Sequence, residues 1–480
     1  MNKNYIRYAI SLVVLTEAAL LAVTGVVALI YQESVYLVYF ATAAIVGAIG
    51  YLGYRRKPKS NVFYAKEGFI IVSLSWLILS FIGAIPFYIT REIPEFVDAL
   101  FETASGFTTT GASILDEVEH LSHASLFWRS FTHWIGGMGV LVFVLSILPS
   151  AGGYAMNIMK AESPGPSVGK LVSRVSDTAK ILYTIYIGIT IAEIMLLVIF
   201  KMPLFDAICA SFQTAGTGGF SNYNAGMSLL PVSQQIILTI FMILFGVNFN
   251  VYYLVLIGKG KEALKSEEVK AYLSIILVSS LLITANTLHM SKGIASAFQT
   301  ASFQVASIIT TTGFSTIDFN QWPSFSTTIL VTLMFIGACA GSTGGGIKVS
   351  RIVIAIKDSI NSLTGFAHPR LVKPVKFEGK VLDKDMLSSV RRYFAVYIVV
   401  FAVSILLVSI NNFDYTTNFT AVAATLNNIG PGLNVVGPTM NYSSFSVFSK
   451  IVLIFDMLAG RLELIPMLML FVPATYRHNG

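Results

Sequence analysis

Charge is scarce in this chain. Asp, Glu, Lys and Arg make up 12% of its 480 residues, against roughly 25% in a soluble domain. Apolar residues make up 55%, and the mean hydropathy is +0.72. So few charges cannot cover a soluble surface of this size, and the composition is that of a polytopic membrane protein. Cysteine is nearly absent. Cys209 and Cys339 both lie in apolar context, which excludes a disulfide framework and a cysteine metal cluster. The apolar run at 8–30 is too long for a signal-peptide core and ends without a small-residue cleavage site, so it is read as a first span. Within the spans no nucleophile–base pair or paired metal ligands can be assembled, which argues against an enzyme. No nucleotide fingerprint is found either. The GSTGGG run at 341–346 has no strand before it and lacks the GK[ST] ending. Nothing points to nucleic acid.

Long apolar segments are abundant instead. A spanning helix needs about 20 apolar residues. Ten segments qualify: 8–30, 35–54, 68–90, 125–148, 179–201, 232–258, 271–290, 325–347, 393–411 and 445–472. Four shorter segments, 95–108, 204–215, 295–310 and 416–427, lie between pairs of these and fit re-entrant helices. On this topology one set of loops holds 26 Lys/Arg and the other 5. Positive loops stay cytoplasmic, so both termini are expected inside and all four short segments outside. The basic set includes Arg55, Arg56, Lys57, Lys59, and stretches at 160–180, 259–270 and 348–392. The outer set holds 11 Asp/Glu, among them Asp98, Glu102, Asp116 and Glu119. These acids would either concentrate cations at an outer mouth or form an ordinary solvated rim.

Each short segment ends in a glycine turn. The turns read TTTGAS at 108–113, GTGGFS at 216–221, TTTGFS at 310–315 and NNIGPG at 427–432. Their aligned glycines are Gly111, Gly219, Gly313 and Gly430. Polar backbone belongs inside a bilayer only where it lines a protected cavity, so four such turns suggest four walls of one pore. A dehydrated cation needs oxygen ligands, which a ring of backbone carbonyls supplies in potassium channels. Facing successive carbonyls to one axis requires backbone conformations that glycine reaches at little cost. A short helix ahead of each turn aims its negative end at the cation. The expected fold is therefore all-α and polytopic. Four pseudo-repeated helix–pore-loop–helix units surround one pore, and two extra N-terminal transmembrane helices precede them. The expected boundaries are 1–60 for the two-helix segment, 61–160, 161–262 and 263–380 for the first three units, and 381–480 for the fourth.

The four turns, the GSTGGGIKVSR run at 341–351, the NNIGPGL phrase at 427–433 and the AGRLE phrase at 459–463 resemble the membrane subunit of the Trk/Ktr/HKT superfamily of potassium transporters. The two extra helices resemble its TrkH-like branch. The resemblance covers nearly the whole chain and implies potassium uptake across the inner membrane. It implies an ion-binding filter at Thr110, Gly111, Gly218, Gly219, Thr312, Gly313, Ile429 and Gly430. Serine at the first filter glycine goes with sodium transport in plant relatives, and Gly111 therefore favours potassium. Gly218 and Ile429 depart from the Thr–Gly pattern, so the ring is expected to be uneven and its discrimination weaker than in a symmetric channel.

A run of glycines cannot hold a helix, since each costs about 1 kcal/mol relative to Ala. The stretch Gly341, Ser342, Thr343, Gly344, Gly345 and Gly346 is thus either a flexible loop in the permeation path or a simple helix break. The resemblance implies an intramembrane gate. Arg461 lies deep in an apolar span, where an ionised side chain is functional by default. It is read either as an electrostatic barrier below the filter or as half of an ion pair with Asp456 or Glu463; the resemblance favours the barrier. Glu17 and Glu193 also fall within spans, and packing against polar partners is the simpler reading than proton coupling. His120, His123 and His133 do not form a metal site. Trp128, Trp134 and Trp322 suit an outer interface. The basic stretch at 365–392 either holds anionic lipid or docks a regulator. The resemblance further implies a homodimer and cytoplasmic TrkA-like regulatory subunits that bind a nucleotide, NAD or ATP/ADP, with K+ as the transported ion and no cofactor in this chain. Uniport, a sodium/potassium-permeable pathway and a proton-coupled symporter all fit these residues. A secondary transporter of an organic solute would instead show two large repeats with broken helices.

Overall fold

The computed structural model describes residues 2–56, 58, 65–139, 175–368 and 374–476. It is built almost wholly from helices. An antiparallel pair, Lys3–Ile30 and Tyr36–Arg55, comes first and packs on the helix Ala65–Thr90. Four helical units follow. Each opens with a long helix: Ala65–Thr90, Val175–Ile199, Glu267–Thr287 and Lys384–Val408. Next comes a short helix, respectively Phe96–Phe107, Leu204–Gly216, Ile294–Ile309 and Tyr415–Leu426. These are the four expected re-entrant segments, within a residue of the expected bounds at every end. Each unit closes with a second helix: His123–Met138, Val232–Phe245, Ser324–Ile336 and Val447–Arg461.

The closing helices correct the sequence reading. They span 16, 14, 13 and 15 residues, fewer than the roughly 20 needed to cross. Among the described residues six helices, the N-terminal pair and the four opening ones, are long and apolar enough to span. The four segments 125–148, 232–258, 325–347 and 445–472 are instead broken part-way. Gly139 and Gly337 take φ of 81° and 74°. Asn248 caps a new helix, Phe249–Leu256, bent 90° from the preceding one. Glu463 and Leu464 both adopt positive φ, and Pro466 starts the last short helix. Irregular backbone at that depth is tolerable because it is buried in protein rather than lipid. The inner end of segment 125–148, the basic residues Lys57, Lys59 and those at 160–174, and Pro369 lie outside the described residues.

The units close into a ring. The closing helix of unit one packs on the short helix of unit two, that of two on three, three on four, and four back on one. This arrangement brings the four turns to a common centre. A small antiparallel hairpin pairs Lys376–Phe377 with Lys380–Val381, within the basic stretch at 365–392.

Candidate functional site

Each short helix ends by reversing its backbone. Two residues before each aligned glycine, Thr109, Thr217, Thr311 and Asn428 have φ of 54°, 54°, 59° and 56°. The glycines Gly111, Gly219, Gly313 and Gly430 follow at 76°, 77°, 80° and 96°. This alternation turns successive carbonyls toward one side. The four turns also touch in sequence. A Cβ on Gly111 would strike the carbonyl oxygen of Gly218, one on Gly219 that of Thr312, and one on Gly313 that of Ile429. One on Gly430 would lie 2.8 Å from the Thr110 oxygen, closing the circle. All eight expected filter residues therefore meet in one ring, and its spacing leaves no room for a side chain at any of the four glycines.

Bracing differs from turn to turn. In units one and three a threonine pair shares a hydroxyl hydrogen bond, Thr108 with Thr110 and Thr310 with Thr312, both 2.8 Å. Thr108 and Thr310 also donate back to their short helices, at the Ala104 and Ala306 oxygens. In unit four Asn428 Nδ2 reaches Thr110 Oγ1 at 3.0 Å and the Met457 oxygen at 2.9 Å. Unit two has Gly218 in the place of that threonine, and its Thr217 Oγ1 donates only to the adjacent Gly216 oxygen, at 2.6 Å. Polar side chains of the short helices hold the chain just past the first three turns. Glu102 accepts from Ser113 Oγ, Ile114 N and Arg129 Nε. Asp206 accepts from Asn222 and Tyr223. Burial and this carboxylate push the Tyr223 phenol up to about 12, so it stays a donor. Gln304 donates to Thr316 at 3.2 Å.

On one side of the ring lies a cavity of about 180 Å³ that the four glycines, Asp116 and Tyr442 help line. Two of the outer acids, read as either a cation-concentrating mouth or an ordinary rim, are ion-paired instead. Glu102 is buried against Arg129, and Asp98 pairs with Lys450 Nζ at 2.6 Å. Arg129 and Lys450, within segments 125–148 and 445–472, are buried cations. Trp128 is also fully buried, donating to the Gly83 oxygen, rather than interfacial. The three histidines separate. His120 pairs with Glu117, His123 with Glu33, and His133 is buried beside the ring.

The glycine-rich stretch crosses the other side of the ring. Gly345 N donates to Thr311 Oγ1 at 2.6 Å, and Gly346 N to the Asn427 oxygen at 3.1 Å. A Cβ on Gly344 would sit 2.8 Å from the Thr310 oxygen. The loop thus runs directly against turns three and four. Thr343 N and Oγ1 donate to the Phe245 oxygen, and the Gly341 oxygen accepts from Phe249 N. Ser342 Oγ donates to the Cys339 oxygen at 2.6 Å. Arg461 joins distant parts here. It donates to the Thr343 oxygen at 2.8 Å and to the Gly136 and Gly137 oxygens, both 2.6 Å. Lys348 Nζ donates to the Gly344 oxygen. Of the two carboxylates considered for Arg461, Glu463 pairs with Arg351 and Asp456 accepts from Ser404. Glu17 and Glu193 are fully buried.

Glu268 escaped the sequence reading. Its buried Oε1 accepts from Ala340 N at 2.7 Å and Ser350 N at 3.1 Å, holding both ends of the loop. The backbone N–H of Glu268 in turn donates to Glu378 in the hairpin. An acid in the first turn of a helix is ordinary on dipole grounds, so no sequence signal set it apart. Among the described residues no group of three metal-binding side chains occurs.

A family model described as TrkH: Cation transport protein matches residues 35–476. The chain is 36% identical over 488 residues to the Trk system potassium uptake protein TrkH of Salmonella typhimurium, covering 99% of this chain and 100% of that one. It is 34% identical over 455 residues to the Trk system potassium uptake protein TrkG of Escherichia coli, covering 93% of each. The crystal structure of the potassium transporter TrkH from Vibrio parahaemolyticus superimposes with a TM-score of 0.89 at 33% identity, covering 99% of this chain and 100% of that chain. These relatives carry out transport, not catalysis. The chain is a multi-span helical member of the TrkH family of cation transport proteins.

Proposed function

We propose that this chain takes up potassium across the cell's inner membrane, with both termini cytoplasmic, by passing the ion through the four-turn ring. The carrying observation is the closed circle in which each filter glycine abuts the carbonyl of the next unit. Those carbonyls, from Thr110, Gly218, Thr312 and Ile429, supply oxygens in place of the ion's water. The unit boundaries at 61, 161, 263 and 381 follow the helix–turn–helix pattern. The loop from Gly341 to Gly346 is the gate, held shut by Arg461, whose guanidinium also sets a positive barrier below the ring. The hairpin and basic stretch at 365–392 dock cytoplasmic TrkA-like subunits, through which NAD or ATP/ADP acts. The chain works as a homodimer.

The test uses purified protein in liposomes with opposed K+ and Na+ gradients. A reversal potential that follows K+ supports this function. One that follows Na+ equally well favours the sodium/potassium-permeable reading, which the uneven bracing of the turns makes specific. Dependence on a proton gradient would instead identify a symporter. Absence of cation current, with uptake of an organic solute, overturns the reading.

A further inference from the structure

Turn two has no side chain at 218 to brace it, and another unit supplies one. Gly218 leaves an empty place where Thr110 and Thr312 stand in turns one and three. His133, on the closing helix of unit one, occupies that place. A Cβ on Gly218 would strike Nδ1, Cγ and Cε1 of the imidazole, and one on Gly216 would strike the His133 carbonyl. The imidazole also stacks on Phe220, the residue after Gly219, with ring centroids 4.3 Å apart and planes 19° apart. Arg129, one turn earlier on the same helix, lies over the Phe220 ring at 4.1 Å and donates to the Ser221 oxygen at 3.0 Å. The Gly218 N–H still donates to the Gln213 oxygen of its own short helix at 2.9 Å, but the side chains packed on residues 218–221 come from unit one.

The ring of His133 is fully buried, and neither nitrogen has a hydrogen-bond partner among the described residues. A buried polar group left unpaired is costly, and a leucine or phenylalanine would avoid that cost. What the imidazole offers here is a flat shape fitted between Gly218 and Phe220. That fit matters for ions because the Gly218 carbonyl is the oxygen that abuts Gly111.

We propose that His133 is a positioning residue for ion discrimination: its imidazole replaces the missing side chain at 218 and fixes the Gly218 carbonyl in the ring. Gly218 and His133 are then a matched pair, small against large. The proposal rests on the ring being the ion filter.

Purified variants in liposomes test it, with K+ and Na+ permeability measured side by side and folding checked by size exclusion and thermal melting. H133A should lower the K+/Na+ ratio about tenfold, the equivalent of about 1.4 kcal/mol of lost discrimination. H133F, which keeps a flat ring against Phe220, should stay within about twofold of the parent ratio, a change of under about 0.5 kcal/mol. G218A should collapse K+ flux in the His133 background and regain it in the H133A/G218A double variant. An unchanged ratio in H133A, a ratio in H133F as low as in H133A, or no rescue in the double variant would each overturn the pairing. G219A serves as the control for the filter itself. If G219A also leaves the ratio unchanged, the ring is not the filter and the proposal falls with that reading; if G219A alone changes it, only the role of His133 is overturned.

Discussion

Two glycine-rich regions lie back to back in this protein, and they are held by different means. In the ring, every glycine is confined by the neighbouring unit's backbone, and the braces are short local hydroxyl bonds such as Thr310 to Thr312. In the loop behind it, the main ties are charged side chains, two of them from remote positions. Arg461 reaches Thr343, Lys348 reaches Gly344, and Glu268 grips Ala340 and Ser350. A backbone ring closed on itself cannot move one member without displacing the others. A loop hung on three side chains can be released by withdrawing any of them. The contrast fits the proposed filter and the proposed gate.

The sharpest way to break the comparison is at the ring. Gly219→Ala or Gly313→Ala places a methyl on a neighbouring carbonyl. K+ flux in liposomes should fall about 100-fold, near 2.8 kcal/mol at 1.4 kcal/mol per decade. Near-parental flux would show that the ring is not tight.

The loop should respond in the opposite direction. Arg461→Ala, or a deletion shortening 342–345, should leave the protein folded and raise flux about tenfold, since each charge-assisted bond to a carbonyl holds about 1.5–3 kcal/mol. Tracer uptake at fixed voltage reads this. Unchanged flux in a well-folded deletion would remove the loop from the conduction path.

Glu268→Gln tests the remote tie more gently. The amide still accepts from Ala340 and Ser350 but without charge assistance, which is worth roughly half of such a bond. Flux should rise about threefold, and less than in Arg461→Ala. A fall would mean that Glu268 supports an open rather than a closed loop.

The smallest effect is expected at Asp414, which caps the fourth short helix through Thr417 N at 3.0 Å. Asp414→Ala should cost about 1 kcal/mol of stability, read as a lowered melting temperature. Hydrogen bonds from Thr417 hold the Asp414 carboxyl below its usual value. Its contribution is therefore present above the ordinary carboxylate range and fades as pH falls through the lowered value. The stability gap between parent and variant should narrow only in acid.

The short helices were legible because each signal was local. An amphipathic stretch too short to span, followed by Thr or Asn and a glycine, marks its own end, and bounds such as 204–215 against Leu204–Gly216 agree closely. The closing helices were not legible. In segment 445–472 the hydropathy continues straight through Leu464, where the backbone turns aside, and in 325–347 the helix stops at Gly337, before the glycine run that marked a break. Apolar character records burial, and a broken strand of chain inside the protein is as buried as a helix. Glu102 and Asp98 misled for the same reason in reverse. An acid on an outer segment reads as solvated until its partner, Arg129 or Lys450, is brought from another element.

Composition and periodicity alone determined that this chain is a multi-span helical bundle with four glycine turns at equivalent positions, because those properties follow from each segment's own residues. Only the tertiary structure decided that Gly111 meets Gly218, that His133 fills the space at turn two, and that Arg461 and Glu268 converge on one loop. Those pairings join residues scores to hundreds of positions apart, and no local pattern of side chains encodes which distant backbone will be its neighbour.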